Sequence, residues 1–177
     1  LYETGVISKE EFDTFEVNGG NYPGQPSKNL DAAIEYSGGS LGLGLSYASG
    51  LALSKNCKNN KIYVVMGDGE LNEGSVWESA MFVGFNRLKN ITAIIDYNRM
   101  QSDGSSAEIL TFDIHKMFEA CNWDIVECDG HNVESIREAL SKETDCPKVI
   151  IARTTKGKGI SFMENSKDWH HNYITEA

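Results

Sequence analysis

Two short apolar runs constrain this chain more than any other feature: KIYVVM at 61–66 and ITAIID at 91–96. Each ends abruptly in polar residues, the first in Gly67-Asp68-Gly69 and the second in Tyr97-Asn98. Short β-branched runs with polar boundaries read as buried strands. Between them, from Glu73 to about Asn86, Val76, Trp77, Ala80, Met81 and Phe85 recur at helical spacing. A strand, a helix and a second strand of these lengths imply a right-handed βαβ unit and parallel pairing.

The same alternation continues downstream. A helix is expected near 113–121, a strand over DIVECD at 124–129, an amphipathic helix over 132–144 and a strand over 148–155. Asn132 is placed to cap the amphipathic helix. Upstream, 37–56 reads as a small-residue helix in which Gly42, Gly44 and Gly50 allow another backbone to approach. The expected fold is therefore α/β, a mostly parallel doubly wound sheet with helices on both faces. It forms one domain over 1–177, with a loop-rich tail from Lys156 to Ala177. Ligands of such sheets sit beyond the carboxyl ends of the strands, which is where Asp68 and Asn98 fall.

Composition excludes several classes. The formal net charge of −10 leaves no basic stripe for a nucleic acid. No apolar run approaches the roughly 20 residues that span a bilayer, and the opening LYETGVISKEEFDTF is unlike a signal peptide. Cys57, Cys121, Cys128 and Cys146 form no C-x-x-C pair and read as free thiols of a reducing, cytoplasmic setting. An anionic ligand on so acidic a chain calls for a cation to offset the repulsion.

Glycines on either side of Asp68 permit positive φ and close approach of a ligand to the backbone. A carboxylate and an amide oxygen form a hard donor set that suits Mg²⁺ or Ca²⁺. Two side chains are too few for such an ion, so phosphate oxygens, a backbone carbonyl and water would complete the shell. The N–H of Gly69 and the start of the following helix could face a phosphate. On the residues alone, two tight turns that satisfy only their own backbone remain the alternative.

Gly-Asp-Gly followed thirty residues later by Asn98 resembles the cofactor motif of thiamine-diphosphate enzymes. The segment GDGELNEGSVWESAMFVGFNRLKNITAIIDYNRMQSDG (67–104) is similar to transketolases nearly residue for residue, and GSLGLGLSYASGLAL and TTKGKGISFMENSKDWHHN extend the likeness. The resemblance implies thiamine diphosphate and Mg²⁺ (or Ca²⁺) as cofactors, with Asp68, Asn98 and the carbonyl of Met100 on the metal. It puts Gly67 and Gly69 along the diphosphate, and Gly39 and Leu41, at the start of the upstream helix, by the aminopyrimidine. Glu73 would join a carboxylate network between paired sites, or simply stabilise a helix N-terminus. His170 would lie near diphosphate and substrate, with His171 standing where the family has glycine.

Two substitutions depart from the family. Gln25 replaces the histidine that touches the sugar, and an amide is no acid or base near neutrality; Leu43 replaces the glutamine of the helix start. The chain also begins just after a further family histidine, as though an N-terminal segment were missing. The activating glutamate of transketolases lies on a second domain, so the resemblance implies a C-terminal partner subunit in an α₂β₂ assembly. The expected activity is two-carbon ketol transfer from a ketose to an aldose, free or phosphorylated. The alternatives are a subunit like a 2-oxo-acid dehydrogenase E1 or a deoxyxylulose-phosphate synthase, or a non-catalytic metal and diphosphate module.

Overall fold

A computed structural model of the chain describes residues 1–57 and 59–172. They divide into two compact units, Leu1–Leu41 and a second that begins at Gly42. In the first, α1 (Lys9–Phe12) starts from Ser8, whose hydroxyl accepts the Glu11 N–H while the Glu11 carboxylate accepts the Ser8 N–H. This reciprocal capping box and a Tyr2–Phe12 stack at 5.2 Å support a four-residue helix that buries nothing. The sequence reading placed no element before residue 37, although Ser-x-x-Glu announces this one.

The second unit alternates α2 (Leu43–Leu53), β1 (Ile62–Gly67), α3 (Gly74–Phe85), β2 (Ile91–Tyr97), α4 (Ser106–Ile109), α5 (Ile114–Ala120), β3 (Asp124–Asp129), α6 (Val133–Ser141) and β4 (Lys148–Arg153). Among the described residues the four strands are all parallel, in the order β1-β2-β4-β3. The expected α/β class and its strands are present, and Asn132 caps α6 by accepting the Ser135 N–H at 3.0 Å.

One expectation needs correction. The small-residue helix starts at Leu43 rather than at 37, because Gly39 and Gly42 have φ of +131° and +81°, outside the right-handed helical region. Gly39 and Leu41 therefore precede the helix. Of the three glycines expected to admit a neighbour, Gly42 does so most closely: a β-carbon there would lie 2.4 Å from Ser75 Oγ, whereas one on Gly50 would meet nothing.

The core explains the layering. Val64, Met66, Ala93, Ile95, Val149 and Ile151 pack with Leu45, Ala48, Val76, Ala80, Val83 and Phe118 from α2, α3 and α5. Ile150, Ala152 and Cys128 turn to the opposite face, where α6 contributes Ala139, Ile136 and Leu140. Central β4 is buried from Lys148 to Ala152, as a strand covered on both faces must be. Its first residue is the polar exception. Burial pulls the Lys148 ammonium's pKa down, yet its Nζ donates to the carbonyls of Ala139, Leu140 and Lys142 at 2.9, 2.9 and 2.8 Å. It thereby satisfies the orphan carbonyls at the end of α6. Lys148→Met keeps the volume and strands those carbonyls, so urea unfolding is expected to show a loss of roughly 2–3 kcal/mol.

Two indole N–H groups fix the layer against the strand ends. Trp123 Nε1 donates to Ala80 O at 2.9 Å, and Trp77 Nε1 donates to Leu71 O at 2.7 Å. The second bond holds the short 3₁₀ turn Gly69–Asn72 against α3. That turn carries the residues immediately after Asp68.

Candidate functional site

Parallel pairing of β1 and β2 sets Gly67 opposite Asp96, so Asp68 and the Tyr97-Asn98 turn leave the sheet side by side. Asp68 is only 6% exposed. Its backbone N–H donates to Asp96 O at 3.3 Å, and its carboxylate accepts the Arg99 N–H. Burial pushes the Asp68 carboxyl up from the ordinary range; the N–H groups of Arg99 and Gly69 oppose this, and the Asp96 charge reinforces it. A carboxylate withdrawn from water beside another acid is a place where a cation lowers the energy.

Arg99 reaches Asp68 through an unusual backbone, with φ of +62°. An L residue held in the left-handed region costs roughly 1 kcal/mol and persists only where the surroundings impose it. Here the turn puts Asn98 and Met100 on either side of that residue. Asn98 Oδ1 accepts the Met100 N–H at 2.8 Å and retains a second lone pair. Met100 bridges to Ser105, and Gln101 N donates to Gly104 O at 2.8 Å, closing the loop. Asp68, Asn98 and Met100 are thus gathered at one strand end, with Gly67 and Gly69 beside them. A β-carbon on Gly67 would meet nothing within 4 Å, whereas one on Gly69 would lie 3.0 Å from Gln101 Cγ.

Gln101 is a residue the sequence reading missed. Its Nε2 is buried without a hydrogen-bond partner, an expensive state for an amide, next to Gly69. A lone Gln in an Asn/Ser/Asp loop carries no signal in sequence; only the packing exposes it. The loop's α4 was also overlooked, although Ser105 and Glu108 form a second capping box. Around the same strand ends the Tyr97 ring has the Arg99 and Arg153 guanidiniums at 5.3 and 5.7 Å. The Thr154 hydroxyl donates to the Asp96 carboxylate.

The remaining expected residues lie on other segments. Glu73 is the N-cap residue of α3 without a side-chain cap bond, and its Cβ packs against Gly42. His170 Nδ1 lies 3.0 Å from Lys156 Nζ. Its 3₁₀ turn, Lys167–Trp169, is tied to the loop after Asn98 by Lys167 Nζ donating to Asp103 O at 3.3 Å. Gln25 and Gly39 meet in the first unit: Gln25 Nε2 donates to Gly38 O at 3.3 Å, and a β-carbon on Gly39 would fall 2.2 Å from that nitrogen. Leu41, in the same unit, is exposed. The tail expected from Lys156 is turns as far as Asn172, and 173–177 lie outside the described residues.

Among the described residues no three His, Cys, Asp or Glu side chains cluster as a metal site. The strand-end set is of another kind: one buried carboxylate, one amide oxygen and one carbonyl. Cavities of about 220 and 300 Å³ open at the amino ends of the strands, around Lys61, Lys148 and Asp124, far from these donors. No described helix is long and apolar enough to cross a membrane.

A parallel α/β domain with a buried carboxylate and an amide side chain at the carboxyl ends of adjacent strands is of the class whose ligands bind beyond those ends. Within it, the chain belongs to the family described as transketolase, thiamine diphosphate binding domain, which matches residues 3–177. It is 39% identical over 176 residues to an apulose-4-phosphate transketolase subunit of Actinobacillus succinogenes, across 97% of this chain and 64% of that one. It is 36% identical over 178 residues to a 6-deoxy-6-sulfo-D-fructose transketolase subunit of a Clostridium species, across 97% and 65%. Human transketolase is 35% identical over 172 residues, 95% of this chain and 27% of that protein. The crystal structure of Campylobacter jejuni transketolase superposes with a TM-score of 0.84 at 30% identity, over 92% of this chain and 27% of that one. The chain spans just under two thirds of the two subunits it resembles.

Proposed function

We propose that this chain anchors thiamine diphosphate and a divalent cation, Mg²⁺ or Ca²⁺, for ketol transfer in a divided, transketolase-like enzyme. The observation that carries the reading is Asp68, buried and bonded to the Asn98–Met100 turn at adjoining strand ends, in a chain of the transketolase family. The residues fit the group. The donor set is hard and all-oxygen, Gly67 leaves open space beside it, and Gln101 offers an unpaired buried donor.

In this reading Asp68 and Asn98 hold the cation through side-chain oxygens and Met100 through its carbonyl. The cation offsets the diphosphate's charge against an acidic chain. When bound, the cofactor supplies the nucleophilic carbon that accepts and donates a two-carbon unit; the chain binds and orients it. Glu73 and His170 would then lie beside the cofactor, and Gln25 positions the Gly38-Gly39 loop through a hydrogen bond rather than proton transfer. A partner subunit in an α₂β₂ assembly would bring the activating carboxylate, with sugars or sugar phosphates as substrates in the cytoplasm. Relatives named as individual subunits of a transketolase support the division, and family membership favours this reading over an E1 or a deoxyxylulose-phosphate synthase.

The test is a thermal melt with thiamine diphosphate. At about a hundred times Kd, binding stabilises by roughly 2.7 kcal/mol, a rise of roughly 5–10 °C for a chain of this size. The rise is expected only when Mg²⁺ and cofactor are both present, and EDTA should cancel it. An equal rise without a divalent cation would remove the metal from the site.

A further inference from the structure

Two glycine N–H groups near the strand end are held by one side chain that neither the motif nor the metal set includes. Gly42 N donates to Glu70 Oε1 at 2.8 Å, and Gly67 N donates to Glu70 Oε2 at 3.2 Å. Gly42 is the N-cap residue of α2, in the left-handed region at φ +81°, and has no side chain to make a cap of its own. In a capping box, a Glu three positions into the helix reaches back to the N-cap N–H. Here Glu70 plays that part from 28 residues away, and its charge sits favourably at the helix's positive end.

Gly67 is the last residue of β1, and among the described residues β1 is an edge strand, so its outward N–H meets no neighbouring strand there. Glu70 itself is half-buried in the 3₁₀ turn that Trp77 clamps. Gly42 is pressed against the start of α3, where a β-carbon would lie 2.4 Å from Ser75 Oγ and 2.8 Å from Glu73 Cβ. The carboxylate therefore joins three pieces: the entry to α2, the end of β1 and the turn after Asp68.

We infer that Glu70 is a positioning residue, whose carboxylate sets the Gly67-Asp68-Gly69 turn relative to the start of α2 and so tunes cofactor affinity without touching the metal. The inference rests on the cofactor reading above, but its first half stands apart from it. Both carboxylate oxygens are needed. Glutamine offers one acceptor oxygen and places an NH₂ against the other N–H, so no isosteric neutral residue reproduces the tether.

The experiment compares the wild-type chain with Glu70→Gln and Glu70→Ala. Backbone amide exchange is followed by NMR on the cofactor-free chain. The amides of Gly42 and Gly67 are expected to be protected in the wild type. At least one should exchange tenfold or more faster in Glu70→Gln, and both in Glu70→Ala. Unchanged exchange at both glycines in Glu70→Ala overturns the tether.

Affinity for thiamine diphosphate with Mg²⁺ is then read by titration well below the melting temperature of every variant. A Kd raised about tenfold in both variants is the expected result. A structural role alone would lower the melting temperature and leave Kd untouched, and that outcome overturns the positioning claim. If the wild type shows no affinity, the cofactor reading falls, and the positioning claim falls with it, while the exchange rates still decide the tether.

Discussion

Gly84→Ala is expected to leave little folded protein. Gly84 lies in the last turn of α3, and a β-carbon added there would sit 1.7 Å from the carbonyl oxygen of Cys121 and 2.9 Å from its carbon. The obstacle is backbone at the end of α5, which cannot rotate aside as a side chain can. Relief requires α3 and α5 to separate, and between them lie Val83, Phe118 and Trp123, all buried. Overpacking of a close-packed core costs about 1–3 kcal/mol where side chains yield, and here the loss should exceed about 3 kcal/mol. Gly50→Ala is the matched control. The site is in α2, faces open space and should gain roughly 0.5–1 kcal/mol, the ordinary preference of a helix for alanine. Urea midpoints of the two variants should move in opposite directions; a mild effect at Gly84 would mean that α3 and α5 do not pack as described.

Asp68→Asn should separate binding from stability. The amide oxygen still accepts the Arg99 N–H that the carboxylate accepts now, so the turn keeps its bond. What disappears is a buried charge: desolvation of the Asp68 carboxyl, reinforced by repulsion from Asp96, pushes it up. The cofactor-free variant is therefore expected to melt at or above the wild-type temperature. The rise produced by thiamine diphosphate with Mg²⁺, roughly 5–10 °C in the wild type, should vanish, because a neutral amide is a poor substitute for a carboxylate on a hard cation. A variant that melts lower and still shifts with cofactor would show Asp68 to be a turn residue only.

These two residues mark the limits of reading a chain by pattern. Asp68 announces its place, since an acid between glycines after a buried run is legible as a strand-end residue. Asn98 is legible for the same reason. Gly84 is an ordinary glycine within GSVWESAMFVGF, and nothing nearby in sequence foretells that Cys121 O lies against it. The helix start was read six residues early because 37–42 continues the Gly, Ser and Leu composition of the helix itself, while the positive φ of Gly39 and Gly42 is set by packing. Glu73 drew attention by family position, yet it is Glu70 that grips Gly42 and Gly67.

Element order, the parallel class and the strand-end identity of Asp68 and Asn98 can all be read along the chain. Each follows from local patterns: burial periodicity along short runs and the backbone freedom of the glycines that end them. Packing in three dimensions selects which strands adjoin, and hence that Asp68 meets the Asn98–Met100 turn. It also leaves Gln101 with an unpaired amide and lets Glu70 bind two segments far apart in the chain. Those outcomes depend on contacts between distant residues, where distance and the exclusion of water, rather than neighbours in sequence, choose the partner for each polar group.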